Sequence, residues 1–310
     1  MYPLRFEPIY RDYVWGGDRI AKKYHKNQQG RIAESWELAD RPDAISVVAN
    51  GPYQGKSLHE LMQEMKEDLL GQDQHWERFP LLCKIIDARE NLSVQVHPDE
   101  QTAPSLQGES KSEMWYLLED GSVYAGLQEA VTQEQFFESI SEQRADQLLK
   151  RLDLKKGAAV YIPGGRIHAI CSGTFLFEVQ QNSDTTYRLY DWGRSARKLH
   201  LQEGAAAAHW QDRGGAQLDF QRLESDLHHQ IMTVLSCPYF IVERVDVFDL
   251  LHLGAIAKTF QIFFCLDGEG HIEVDGVKEP LMMGMTYLVP AVCHGVNFSG
   301  KLQLLRIRLP

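Results

Sequence analysis

The segment NLSVQVHPDE (91–100) places an amide, Gln95, and an imidazole, His97, two residues apart in a β-branched apolar run that Pro98 stops. A strand's period of two puts Ser93, Gln95 and His97 on one face and Leu92, Val94 and Val96 on the other. Glu113 opens a second apolar run, EMWYLL, and His168 follows the Pro163-Gly164-Gly165 turn of VYIPGGRIHAI. Two imidazoles, a carboxylate and an amide oxygen from three separate strands could close around one divalent ion and leave a position for water or substrate. Singly, each residue has a plainer reading. An isolated His is usually just hydrogen-bonded, a strand-end Glu is solvated, and amides are uncommon metal ligands. It is the ordered set that points to a metal.

Strands must carry these groups, and the sequence supplies them. Short apolar runs at 80–87, 92–98, 114–120, 158–163 and 174–181 are separated by Gly, Pro, Asn or Asp, a spacing that suits an antiparallel sandwich or barrel. Two stretches interrupt them with helical periodicity: SLHELMQEMKEDLL (57–70), which starts on Ser and stops at Gly71, and VTQEQFFESISEQRADQLLKRLDL (131–154). The less patterned stretch 205–229 reads as a linker. Beyond it, strand-like runs return at 239–248, 257–276, 285–298 and 302–310, with DGEG (267–270) expected as a hairpin turn.

The run YLVPAVCHGV (287–296) repeats the layout of VYIPGGRIHAI: apolar strand, Pro, short turn, His. That layout is the second half of a cupin, a small jelly-roll barrel. The expected fold is therefore mainly β: two cupin-type jelly-roll barrels with helical insertions in the N-terminal half, at about 55–71 and 131–154. Residues 1–230 would form the metal-binding domain and 231–310 a C-terminal cupin-like barrel. The hairpin TFQIFFCLDGEG (259–270) ahead of His294 carries no His-x-His or Gln-x-His, so that second barrel is expected to lack metal ligands, with His294 structural.

Composition narrows the function. The chain has 310 residues, 44% of them hydrophobic, enough for a large core, and its formal net charge of -11 opposes nucleic acid as a partner. Neither a signal-peptide pattern nor a long apolar span is evident, so no membrane partner and a cytoplasmic location are expected. The five cysteines are scattered, with no CxxC pair, and read as core thiols. Trp15, Trp36, Trp115 and Trp192 are assigned to the core. One segment departs from the acidic whole: DTTYRLYDWGRSARKLH (184–200) sets Arg188, Arg194, Arg197 and Lys198 against Asp184 and Asp191, a local basic excess of the kind an anionic substrate would need.

The chain resembles the type I phosphomannose isomerases (mannose-6-phosphate isomerases) in their shorter bacterial form. The resemblance spans nearly the full length, through RDYVWGGDRI, AESWELADRPDAISVVANG, LLCKIIDARENLSVQVHPDE, KSEMWYLL, YIPGGRIHAI and FEVQQNSDTTYRLYDWGR. It implies a zinc ion, one per chain, held by Gln95, His97, Glu113 and His168, and an active-site arginine at Arg188. Lys111 aligns with the lysine of an Asn-His-Lys-Pro-Glu run found in longer relatives; the histidine before that lysine is replaced here by Ser110.

The implied activity is a zinc-dependent aldose-ketose isomerisation between mannose 6-phosphate and fructose 6-phosphate through an enediol. Arg188 would bind phosphate or the enediolate oxygens, and Lys111, on the side of its strand that carries Glu113, would bind phosphate or steer a proton. The sequence leaves open which group is the general base, and whether the protein is a monomer or a homodimer. A cupin sugar-binding protein and a metal-dependent cupin dioxygenase are the alternatives. The first would show no turnover and the second would need iron and oxygen.

Overall fold

The computed structural model describes residues 1–24, 30–72, 75–254 and 259–310. Strands dominate it, and residues 257 and 258 of the strand expected at 257–276 lie outside the described residues. The chain forms two compact units, each gathered from separated segments: 10–36 with 81–218, and 1–9 with 37–80 and 219–310. Compactness thus partitions the chain differently from a single cut at residue 230. Long-range strand pairing is the reason, since Leu4–Arg5 pairs with Thr286–Val289 across almost the whole sequence.

The first unit carries a five-stranded sheet in the order Leu149–Leu154, Gly121–Leu127, His168–Ile170, Val94–Val96, Tyr187–Tyr190. A six-stranded sheet runs Ala159–Ile162, Glu113–Leu117, Phe175–Gln181, Leu81–Asp87, Glu34–Leu38, Ile9–Arg11. Ile86, Trp115, Val160 and Leu176 of the six-stranded sheet share one buried cluster with Val123, Ala125 and Ile170 of the five-stranded sheet. The two sheets therefore pack on a common core, as a jelly roll requires.

The 131–154 region departs from the expected helix. α-Helix is confined to Gln133–Ser141, opened by a capping box between Thr132 and Gln135; a 3-10 turn follows at Ala145–Leu148, and Leu149–Leu154 is a strand paired with Gly121–Leu127. Along that strand Leu149 and Leu154 are buried while Arg151 and Asp153 are exposed. Burying each Leu gains about 1.5–3 kcal/mol, more than the helix propensity of six residues can offset. The 57–70 segment is helical as expected, with a Ser57–Glu60 capping box, but Met65 breaks it into Leu58–Glu64 and Lys66–Leu70.

In the second unit, two 14-residue strands, Gln261–Val274 and Gly295–Arg308, pair side by side at the centre of a nine-stranded sheet. DGEG is not the hairpin turn: it lies inside Gln261–Val274, and the turn is Asp275-Gly276, both at positive φ. The glycines of DGEG serve close approach. A Cβ at Gly268 would stand 2.0 Å from the Lys301 carbonyl oxygen, and one at Gly270 would stand 2.1 Å from that of Ser299. The stretch 205–229 includes the end of a short helix, Leu201–Ala207, and an exposed strand, Gln221–Ser225. All five cysteines are buried, and none forms a disulfide. Among the described residues no helix is long and apolar enough to cross a membrane.

Candidate functional site

Three of the four expected metal ligands converge in the first unit. His97, Glu113 and His168, all buried, place one ligand atom each within 4.8 Å of the others, the one such cluster among the described residues. Strand register builds the site. Gln95 pairs with His168 on one side and Arg188 on the other, so these three form a row across the five-stranded sheet. Glu113 comes from the six-stranded sheet.

The imidazoles are oriented from behind. His97 Nδ1 lies 2.8 Å from the Thr185 carbonyl oxygen and His168 Nδ1 lies 2.8 Å from that of Arg166. A carbonyl only accepts, so both rings are held as Nδ1–H tautomers whose Nε2 lone pairs face inward, the second-shell arrangement of metal-binding histidines. Those Nε2 atoms stand 3.6 Å (His97) and 3.3 Å (His168) from the Glu113 carboxylate. Both Glu113 oxygens are buried without a hydrogen-bond partner, although Lys111 Nζ is 2.7 Å from Oε2. Two inward lone pairs beside a buried carboxylate fit a divalent cation.

Gln95 presents its amide nitrogen 3.2 Å from His168 Nε2; a half-turn of the amide would bring its oxygen there instead. Arg166, whose carbonyl orients His168, is itself clamped by Asp212 at 2.6 and 3.0 Å. His294 of the second unit is exposed and faces Asp275 at 3.3 Å.

Electrostatics keep the ligands competent. Burial, reinforced by the nearby Lys111 ammonium, holds the His97 imidazole well below its ordinary pKa, and burial lowers His168. Burial alone would raise Glu113, but Lys111 and His168 outweigh it and hold the carboxyl below its usual range. Metal-free protein is therefore expected to lose stability as pH falls below about 6.5. The folded state resists protonating these imidazoles while the unfolded chain accepts the protons, so acid favours unfolding. Urea midpoints of chelator-treated protein at pH 7.5 and 5.5 measure this, and equal midpoints contradict it.

A cavity of about 260 Å³ opens beside the cluster, lined by Gln95, Lys111 and Arg188 among others. Residues 4–142 match the family description "Phosphomannose isomerase type I, catalytic domain", and residues 230–309 match "Mannose-6-phosphate isomerase, cupin domain". The chain belongs to the type I phosphomannose isomerases. It is 34% identical over 304 residues to the mannose-6-phosphate isomerase ManA of Bacillus subtilis, covering 93% of each chain. The crystal structure of the mannose 6-phosphate isomerase from Bacillus subtilis is similar with a TM-score of 0.91, at 29% identity over 99% of both chains. A zinc-bound mannose 6-phosphate isomerase shares the fold, with a TM-score of 0.81 over 98% of each chain at 18% identity.

Within this family fold the cavity also holds residues that the sequence reading passed over. Lys84 is buried 3.0 Å from Glu178 and 3.9 Å from Glu34, and register sets Lys84 and Glu178 directly opposite each other on neighbouring strands. Trp36 Nε1 donates to Glu34 at 2.6 Å and Trp115 Nε1 to Glu178 at 3.1 Å. Trp15, Trp36 and Trp115 are buried, as expected, yet they also line the cavity. A lysine inside LLCKIID and a glutamate inside TFLFEV were the available signals, because a charge in a continuous apolar strand needs a buried partner. The basic excess at 184–200 is partly spent internally: Asp191 accepts from Arg194 at 2.7 Å and from Arg197 at 2.5 Å.

Proposed function

We propose that the chain interconverts mannose 6-phosphate and fructose 6-phosphate through an enediol, using one zinc ion held by His97, Glu113, His168 and Gln95. Family membership supports the reaction, and the zinc-bound relative supports the choice of metal. The observation that carries the metal is the pair of imidazoles locked as Nδ1–H tautomers, with their Nε2 atoms turned to the buried Glu113 carboxylate. When bound, the ion supplies Lewis-acid stabilisation of negative charge growing on the substrate's C1 and C2 oxygens.

The isomerisation removes a proton from C2 and returns one to C1, while another moves between the two oxygens. Lys111 Nζ stands 2.7 Å from Glu113 and 3.3 Å from His97 Nε2, which supports a role for its ammonium in holding or passing a proton. Arg188, adjacent to Gln95 in register and half-buried, offers a permanently charged fork to substrate oxygens. Trp36 and Trp15 wall the cavity with apolar surface that limits water. The catalytic role lies within residues 1–230. Residues 231–310 serve as a cupin-like barrel without a ligand set.

A coupled assay of mannose 6-phosphate turnover on chelator-stripped protein, before and after zinc is restored, tests this reading. Activity is expected to vanish on stripping and return with zinc. A folded protein that turns over nothing with any divalent ion would leave a sugar-binding or oxygen-dependent cupin as the better reading.

A further inference from the structure

The cavity lined by Gln95 and Lys111 is lined by two guanidiniums as well, Arg188 and Arg197. Chain closure brings them together. The strand Tyr187–Tyr190 leads into a tight turn in which the Arg194 amide donates to the Asp191 carbonyl at 2.9 Å, with Trp192 and Gly193 at positive φ. The loop then returns to Arg188. The His200 amide donates to the Arg188 carbonyl at 2.7 Å, and the Arg188 amide donates to His200 Nδ1 at 3.2 Å. Arg197 is thus carried on a loop clipped at its base, and it does not hang free in solvent.

Partners are unevenly shared. Asp191 is buried and answers two arginines: Arg194 Nη2 at 2.7 Å, and Arg197 through Nε at 2.9 Å and Nη2 at 2.5 Å. Nη1 of Arg197 is left without a hydrogen-bond partner among the described residues. Among the described residues, no carboxylate is in ion-pair contact with Arg188. Its Nη1 donates to the Lys198 carbonyl at 3.0 Å, and its Nε is buried without a partner. Burial, and after it the charge of Arg197, push the Arg188 guanidinium below its ordinary value, against the opposing charge of Asp191. Of the acidic groups lining the cavity, Glu34 and Glu178 face Lys84, and Asp184 sits four residues before Arg188. Two positive forks with donors to spare, of which Asp191 braces that of Arg197 and shares its charge with Arg194, leave a positive excess that an anion would relieve. A phosphate monoester brings a charge of about -1.5 to -2 and three acceptor oxygens, matched to paired guanidinium forks.

We propose that Arg197, braced by Asp191, completes with Arg188 a two-arginine clamp for the substrate phosphate, and that it sets the preference for phosphorylated over unphosphorylated sugar. This rests on the phosphosugar-isomerase reading and assigns Arg197 a part in it. Asp191 is a positioning residue that fixes the fork of Arg197.

Steady-state kinetics of the zinc-loaded parent and Arg197→Gln test it, with mannose 6-phosphate and mannose as substrates and inorganic phosphate as competitive inhibitor. For Arg197→Gln, the KM for mannose 6-phosphate and the Ki of phosphate are both expected to rise about 10- to 100-fold, the loss of a charged hydrogen-bond pair. Because mannose carries no phosphate, kcat/KM for mannose 6-phosphate should fall at least about tenfold more than kcat/KM for mannose. Arg197→Lys, which keeps the charge and loses the fork, should fall between, and it carries the test if the Gln variant does not fold. Unchanged KM and Ki overturn the clamp, as does an equal fall in kcat for both sugars, the mark of a merely structural role. If the parent turns over neither sugar, the isomerase reading fails by itself. Calorimetric binding of inorganic phosphate to the parent then decides the clamp: weakening in the variant supports it, and no binding or equal binding overturns it.

Discussion

His97→Ala is expected to lower kcat/KM for mannose 6-phosphate by at least about a thousandfold, since several kcal/mol of charge stabilisation depend on the metal. His97 brings an inward Nε2, set by its Nδ1 contact to the Thr185 carbonyl at 2.8 Å, into a cluster that has only one other imidazole. Alanine removes that ligand and leaves Glu113 facing Lys111 at 2.7 Å, so the site collapses toward an ion pair. Zinc content after dialysis should fall with activity, while the circular dichroism spectrum stays that of the parent. A variant that keeps both its zinc and its turnover would remove His97 from the site and with it the metal reading.

The second large effect is on stability. Lys84→Ala is expected to cost about 3–5 kcal/mol, because it leaves buried carboxylates without their cation. Lys84 lies 3.0 Å from Glu178 and 3.9 Å from Glu34, and the pull of those carboxylates, with Glu113, overcomes the opposing effect of burial to raise its pKa above the ordinary lysine value. A raised folded-state value means that the lysine's contribution is complete below its unfolded value, near 10.5, and is lost only as pH climbs through the folded one. The deficit of the variant, read from urea midpoints, should therefore be the same at pH 7 and pH 9. Adding Glu178→Gln to Lys84→Ala should recover part of the loss, since the two residues form one network. A deficit below about 1 kcal/mol, typical of an exposed pair, would mean that the carboxylates are solvated or protonated.

Much of the site was legible because its signals are local. Gln95 and His97 share a strand face by the period of two, and Pro98 marks where that strand ends. The Ser57–Glu60 and Thr132–Gln135 capping boxes are four-residue patterns, so the starts of both helical segments were readable. The far end of the 131–154 segment was not. LKRLDL carries apolar residues at spacings that serve either period, and only the open edge of Gly121–Leu127 made it a strand. DGEG misled for a similar reason. Glycine permits a turn, but here Lys301 and Ser299 needed the space that a Cβ would fill.

By itself, the sequence determined the residue types of the ligand set, the alternation that faces Gln95 and His97 the same way, the β-rich character and the motifs of the family. Each depends on neighbours within a few positions, where backbone geometry fixes the outcome. The tertiary structure alone decided that Thr185 and Arg166 carbonyls set the tautomers of His97 and His168, that Lys84 meets Glu178, and that Asp191 is shared by Arg194 and Arg197. His97 and Thr185 are separated by 88 residues, and Lys84 and Glu178 by a comparable span. At such separations the partner of a buried polar group is chosen by strand register, which is set by packing the whole sheet and which no local pattern encodes.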